Sequence, residues 1–387
     1  MKAVVLLIIM AIYMYSIDFK EFKQKAIEVN YVLKSAKLSI QASKKSSEIL
    51  TQYKNPTVEG GVNIYENEQG WDLSLSQPIR VLGFGKDLQN LATSYTNEAK
   101  ANFIQTKALF LKELESLYTN FVFESKLKSL LLQELKLNQD LENIAKDRLE
   151  NGAGTKVQYL MTTLETQNIY NAILEQEANI QISYFDLLNF ANIDEMLDIK
   201  EEFLYTNLPD HILSKEVNPD ILKETKRYQR LSNQVQVQDH NFKYIDIIGG
   251  YEQEIDQDIV RIGVGMDIPI FSRGSKNAQL ARINASKSAL LLKELKLKND
   301  LKIKALKNEL QNLDKQYKAL MKQQEKQFQL LKLYEEGYKI SKGSLTELLT
   351  VKNRVIEQKR KALLVQKNIN LKVIELNYLQ GIYNENE

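Results

Sequence analysis

Hydrophobic and polar positions follow two periods along this chain, and the chain passes from the first to the second twice. In the stretch 71–79, Trp71, Leu73 and Leu75 fall on one side of an extended backbone, while Asp72, Ser74 and Ser76 fall on the other. The alternation returns between Asp258 and Ile268, where Val260, Ile262, Val264, Met266 and Ile268 lie opposite Arg261, Gly263, Gly265 and Asp267. Each stretch runs into a proline-bearing corner, Gln77 to Lys86 and Ile268 to Lys276, and then the period becomes helical. Residues 86–150 and 276–336 contain no glycine or proline, and Leu306, Leu310, Leu313, Tyr317 and Leu320 are spaced as a heptad seam. The predicted elements are hairpins at 57–79 and 243–269 and long outgoing helices at 86–150 and 276–336. Return helices run to Leu188 and Tyr378, and one uninterrupted helix precedes each hairpin, at 18–53 and 219–242.

These landmarks recur at nearly one interval, Pro78 to Pro269 and Gly154 to Gly343, so the chain reads as an internal two-fold repeat. The expected organisation is a signal peptide at 1–16, a first repeat at 17–192, a connecting segment at 193–218 and a second repeat at 219–387. Asn192, Asn207, Pro209 and Pro219 interrupt the helical pattern in the connection, which predicts an irregular waist there. The fold class is mainly α with a small β part, built on long antiparallel coiled-coil helices. A helix of about 65 residues is ~100 Å long, far more than a compact domain needs.

The alternating segments leave two environments open. A hairpin half-buried on a soluble domain has this pattern, and so does a strand between lipid and a water-filled lumen. If the strands lie in a membrane, four cannot close a barrel, because the smallest membrane barrels have about eight and lipid forbids an open edge. Several chains must then pool their strands, and three would supply twelve.

Composition removes most chemistry. Lys+Arg 52 against Asp+Glu 50 leaves a net charge of +2, with no field that calls for nucleic acid. Without cysteine there is no disulfide, no thiolate nucleophile and no lipidated N-terminal cysteine. Met1-Lys2 followed by the apolar run Ala3 to Tyr15 reads as a secretory signal, too short for a membrane-spanning helix. His211 and His240 lack an acidic or cysteine constellation nearby in sequence, so catalysis, metal binding and cofactor binding are not expected. Gly83-Phe84-Gly85-Lys86 lacks the spacing of a phosphate loop and reads as a strand-to-helix corner.

One stretch carries a resemblance. Arg148-Leu149-Glu150-Asn151-Gly152-Ala153-Gly154-Thr155-Lys156-Val157-Gln158-Tyr159-Leu160, its echo from Tyr338 to Leu349, and the entry Asn218-Pro219-Asp220-Ile221 are similar to motifs of the TolC-like outer-membrane efflux proteins. The resemblance spans essentially the whole chain after the signal. It implies a homotrimer with a twelve-stranded outer-membrane β-barrel and a periplasmic α-barrel, in a Gram-negative bacterium. Such a channel is the exit duct of a tripartite efflux or type I secretion system, docked to a periplasmic adaptor (membrane fusion protein) and an inner-membrane pump, and not an enzyme. It implies docking tips at Arg148, Gly152, Gly154, Thr155, Ser341, Gly343 and Ser344, although these glycines also serve as plain helix terminators. It implies a lipid-facing role for Trp71, Leu73, Leu75, Val260, Ile262, Val264 and Met266. Glu347 matches an acidic periplasmic gate position, but Thr350 and Gln158 stand where further acids would be. The alternative is a periplasmic coiled-coil structural or adaptor protein with its hairpins on a soluble domain.

Overall fold

The computed structural model describes residues 16–64, 68–206, 217–254, 256–268, 270, 274–340 and 342–384. The predicted signal up to Tyr15, together with Pro209, His211, Pro269 and Ser341, lies outside the described residues. The elements are α1 (Phe19–Val29), α2 (Tyr31–Leu50), β1 (Thr57–Ile64), β2 (Gln69–Arg80), α3 (Phe84–Glu150) and α4 (Lys156–Ala191). They continue with α5 (Pro219–Asp239), β3 (Tyr244–Gln253), β4 (Asp258–Gly265), α6 (Ser275–Lys339), α7 (Leu345–Leu379) and a 3-10 turn at Ile382–Asn384. Helices with a small four-stranded sheet are the fold class expected from the sequence. Among the described residues no helix is long and apolar enough to cross a membrane.

Two expectations are corrected. The helix predicted at 18–53 is two helices, because the backbone of Asn30 is extended, with ψ at 124°. Its side-chain amide donates to Phe190 O at 3.1 Å and Asn192 Oδ1 at 3.0 Å, and its Oδ1 accepts from Val32 N at 3.0 Å. An asparagine that finds such partners competes with the helix it interrupts, and no glycine or proline announces the break. In addition, β4 ends at Gly265, so Met266 and Ile268 lie beyond the strand, both exposed.

The chain forms two compact units. One comprises residues 33–107 and 217–301 and holds the sheet. Its strand order is β1-β2-β3-β4, every neighbour antiparallel, and the central β2–β3 pair joins the two halves of the sequence from Trp71↔Gln253 to Arg80↔Tyr244. Gly83, with φ at 88°, turns the chain from β2 into α3, a backbone setting that glycine adopts without strain. Phe84, Leu88, Leu91 and Val237 then pack together with Tyr244 beside them. Asn218 caps α5 by accepting from Asp220 N at 2.8 Å, and Pro219 occupies the first turn, where its missing N–H costs nothing.

The other unit comprises residues 1–32, 108–216 and 302–387. Its core follows the helical seams: Leu131 packs with Ile169 and Ile173, and Leu141 with Leu331, Tyr338, Leu345, Leu348, Val351 and Val355. The irregular segment after α4 is held by backbone and buried polar groups. Ile17 bridges Ile199 in parallel, and the Tyr118 hydroxyl donates to the carbonyls of Lys200 at 2.6 Å and Glu202 at 2.9 Å. Asn370 brackets Tyr205, accepting from its N–H at 2.8 Å and donating to its carbonyl at 2.9 Å. The Glu115 carboxylate accepts from the hydroxyls of Tyr383 at 2.6 Å and Tyr205 at 3.3 Å. Burial pushes Glu115 above the usual carboxylate range, against those two hydrogen bonds and Lys23, which favour the charged form.

Candidate functional site

Directly opposed residues of an antiparallel pair share a face, so the register sorts every strand position. On one face lie Val58, Val62 and Ile64 of β1, Trp71, Leu73, Leu75 and Ile79 of β2, Ile245, Ile247 and Tyr251 of β3, and Val260, Ile262 and Val264 of β4. On the other lie Glu59 and Asn63, Asp72, Ser74 and Ser76, Asp246 and Glu252, and Arg261. The predicted residues Trp71, Leu73, Leu75, Val260, Ile262 and Val264 are thereby brought onto one surface, joined by residues of β1 and β3 whose own alternation is weak. This surface is bare: Ile262 is 87% and Val264 73% exposed. From Trp71 to Ile79 it extends about 26 Å along the strand, comparable with the ~25 Å apolar band of membrane barrels. On the polar face Arg261 pairs with Glu252, and Asn63 Nδ2 donates to the other Glu252 oxygen at 3.4 Å. Strands β1 and β4 are both edges, each with one side lacking a strand partner among the described residues.

The second place is the pair of helical turns. Between α3 and α4, Ala153 N and Gly154 N both donate to Arg148 O, at 2.8 and 2.9 Å, and Gly152 has φ at 71°. A Cβ on Gly154 would stand 3.1 Å from Leu149 N, so only glycine fits without movement. Thr155 begins α4 with a reciprocal capping box, its hydroxyl accepting from Gln158 N while Gln158 Oε1 accepts from Thr155 N, each at 3.2 Å. Between α6 and α7, Lys342 N donates to Gly337 O at 2.9 Å, and a Cβ on Gly343 would stand 3.2 Å from Tyr338 N. Ser344 precedes α7 without a side-chain cap. In both turns a glycine is fixed by its close approach to the preceding helix.

Arg148 is half-buried rather than presented to solvent. Its guanidinium lies 4.3 Å from the ring centroid of Tyr338, donates to Tyr338 O and donates to Ala153 O at 3.0 Å. Gly152, Thr155 and Ser344 are exposed, whereas Leu345 and Leu348 behind them are buried. Glu347 is exposed in the first turn of α7.

A lysine was missed. Lys352 is 0% exposed; its ammonium donates to Asn138 Oδ1 at 3.0 Å and Glu165 Oε1 at 3.1 Å and stands 3.8 Å from Glu134. Burial pushes the Glu134 carboxyl above its usual range, opposed by Lys352 and Arg360. The signal was present, since Leu345, Leu348, Lys352 and Val355 are spaced 3, 4 and 3, which puts the lysine in a core seam. His240 is the other surprise: Asp87, far away in sequence, meets its Nε2 at 2.7 Å, and Phe84 stands edge-on at 5.4 Å. No group of three or more potential metal ligands occurs among the described residues.

No protein-family model and no curated protein matches the chain. Solved structures do. The outer membrane protein VceC of Vibrio cholerae aligns at a TM-score of 0.77 and 12% identity, covering 94% of this chain and 95% of that one. The open state of the Neisseria gonorrhoeae MtrE outer membrane channel gives 0.76 and 16%, covering 94% and 88%. The Campylobacter jejuni CmeC outer membrane channel gives 0.74 and 13%, covering 94% and 85%. At these identities the likeness is one of fold, and it extends over nearly the whole of each chain.

Proposed function

We propose that this chain, which has the fold of the TolC-like outer-membrane efflux channels, is an outer-membrane exit duct working with an energised partner. The observation that carries the reading is the two-faced sheet with two open edges. An exposed apolar face of this extent on a soluble protein would drive aggregation, and lipid is the solvent in which it is stable. Lipid in turn does not tolerate the unpaired N–H and C=O groups of β1 and β4. Pairing β4 of one copy with β1 of the next removes every edge, and three copies give a twelve-stranded barrel with Asp72, Glu252 and Arg261 toward its water-filled interior.

The helices then form the periplasmic part in a Gram-negative envelope, and the glycine-bearing turns meet a periplasmic adaptor linked to an inner-membrane pump. The duct is a passive conduit and performs no bond chemistry, its energy coming from the pump. Residues 1–16 direct export, and the two repeats, 17–192 and 219–387, each supply one hairpin to the barrel and one to the adaptor end. Exposed Gly152, Thr155 and Ser344 are the groups an adaptor touches first, while Arg148 supports them from behind.

The test is fractionation of expressing cells, followed by electrophoresis of the detergent-extracted outer membrane with and without boiling after mild crosslinking. A heat-sensitive band of trimer size in that fraction is expected. A soluble periplasmic monomer or dimer would overturn the barrel and favour a coiled-coil adaptor or structural protein.

A further inference from the structure

Several side-chain amides of this chain are committed within it. Asn138 donates to Thr162 O and Thr166 Oγ1, both at 3.0 Å, Gln176 to Glu124 Oε2 at 2.6 Å, and Asn377 to the Tyr205 hydroxyl at 2.8 Å. Two grooves depart from this. In the sheet-bearing unit, Asn90 and Asn97 fall on one face of α3, two turns apart, and Tyr228, Gln229, Ser232 and Asn233 fall on one face of α5. Together they line an open groove of about 500 Å³. The amides of Asn90 and Asn97 make no hydrogen bond among the described residues, and Asn233 uses only its Nδ2, which donates to Asn90 O at 3.2 Å. Gln229 Oε1 accepts from Lys226 at 3.3 Å, which leaves its Nε2 free.

In the other unit, Leu135 and Gln139 of α3 and Gln167, Tyr170 and Asn171 of α4 line a groove of about 370 Å³. The amides of Gln139, Gln167 and Asn171 are likewise without a hydrogen bond among the described residues. Thr166 beside them is already committed, donating to Glu142 Oε2 at 2.6 Å and Thr162 O at 3.1 Å. Each groove carries an exposed tyrosine, Tyr228 at 37% and Tyr170 at 55%. Neither is lined by a charged residue, although 26% of the chain is charged, so both grooves are neutral by composition.

A phosphate or carboxylate ligand calls for arginine or lysine, and an apolar ligand for a hydrophobic lining. The grooves offer neither. They offer free amide donors and acceptors beside a ring whose face is apolar and whose edge carries a hydroxyl. That chemistry suits a neutral sugar, whose hydroxyls pair with the amides while its C–H face lies on the ring. An N-acetylamino group suits it further, because it presents one N–H and one carbonyl, the complement of an asparagine or glutamine amide.

We propose that the two grooves bind glycans built from N-acetylated sugars. The periplasmic placement of the helices in the reading above puts such chains within reach, while the binding itself does not depend on the barrel. Open grooves exclude little water, so a tetrasaccharide should bind at about millimolar strength. A long strand that engages several grooves at once is held more firmly.

Saturation-transfer NMR on the full-length protein in detergent tests this, with chitotetraose as the probe and cellotetraose as its counterpart lacking acetamido groups. Transfer to the acetyl methyls of chitotetraose is expected, insensitive to added salt because no charge is involved, with little transfer to cellotetraose. The grooves are independent sites, so Tyr228→Ala and Tyr170→Ala should each remove about half of the signal and together nearly all of it. Both rings are exposed, so these variants keep the fold, which circular dichroism verifies. Gln323→Leu, on an exposed part of α6, should change nothing. Co-sedimentation with purified cell-wall sacculi separates the sources: retention displaced by chitotetraose identifies a wall strand, and tetrasaccharide binding without retention identifies a soluble glycan. No transfer from the unaltered protein, equal transfer to the two sugars, or a signal that survives the double substitution overturns the inference. Absence of the heat-sensitive trimer would instead sink the conduit and leave sugar binding intact.

Discussion

Arg148 and Tyr338, 190 residues apart in sequence, meet in the last turns of the two outgoing helices, the guanidinium 4.3 Å from the ring centroid and donating to the tyrosine carbonyl. The same guanidinium donates to Ala153 O at 3.0 Å, so a single side chain ties both glycine-bearing turns. Tyr338 is fully buried beneath it. An arginine that the sequence offers as a docking residue is, in the structure, the strut that joins the two turns.

Arg148→Ala is expected to destabilise the turns by about 1–3 kcal/mol, since two carbonyls and a ring face lose a charged donor. Arg148→Lys should recover little of this, because one ammonium cannot reproduce the planar fork that reaches both carbonyls. Hydrogen exchange at Gly152, Gly154 and Lys342 reads the loss directly. Unchanged exchange in both variants would deny the strut role.

On the sheet, Val264→Arg should block membrane assembly at a cost of about 2–4 kcal/mol, because the side chain faces the apolar surface. Ser76→Arg, on the opposite face, should assemble normally. Heat-modifiable electrophoresis of the two variants distinguishes them, and equal behaviour would mean that the faces are wrongly assigned.

Removing the buried ammonium with Lys352→Ala should cost about 3–5 kcal/mol, because Glu165 and Glu134 are left without their counter-ion. Lys352→Met, combined with Glu165→Gln and Glu134→Gln, should recover most of that, since the uncompensated charge is then gone. Chemical denaturation of the variants provides the comparison.

The raised carboxyl of Glu115 predicts a pH dependence. Its folded pKa lies above the unfolded one, so its contribution favours the folded state at low pH and is lost as pH rises through the folded pKa. Glu134 shifts in the same direction, so the informative quantity is the difference between the protein and Glu115→Gln. That variant should remove part of the decline in stability from the ordinary carboxylate range toward neutrality, at most about 1.4 kcal/mol per pH unit. A pH profile identical to that of the unaltered protein would rule Glu115 out as a source.

Gly152→Ala should cost about 1–2 kcal/mol from its left-handed backbone, although nothing crowds the position. Gly154→Ala should cost more through its 3.1 Å approach to Leu149 N, despite an ordinary φ. Thermal unfolding orders the pair, and a reversed order would contradict this assignment of strain.

Much of the fold was legible because its signals are local. Trp71, Leu73 and Leu75 alternate without exception, and Leu306 to Leu320 hold heptad spacing, so their element types follow from a few neighbours. The break at Asn30 was not legible, because its cause lies at Phe190 and Asn192, on a helix contributed by a distant part of the chain. Asp87 beside His240, and Glu115 beneath Tyr205 and Tyr383, were hidden for the same reason.

By itself the sequence determined the two periods, the repeated corners and the turn glycines, each a property of backbone sterics and side-chain spacing within a few residues. It also determined that four strands are too few to close a membrane barrel on their own. Only the tertiary structure decided that β1 and β3, whose alternation is weak, present Val58, Val62, Ile245 and Ile247 on the same face as Trp71 and Ile262. It also decided that Asn138 and Glu165 meet the Lys352 ammonium and that Arg148 is a strut. The physical reason is register: shifting a strand pair by one residue sends every side chain to the other face, and the pairing of β2 with β3, from Trp71↔Gln253 to Arg80↔Tyr244, joins residues too distant in sequence for local signals to set it.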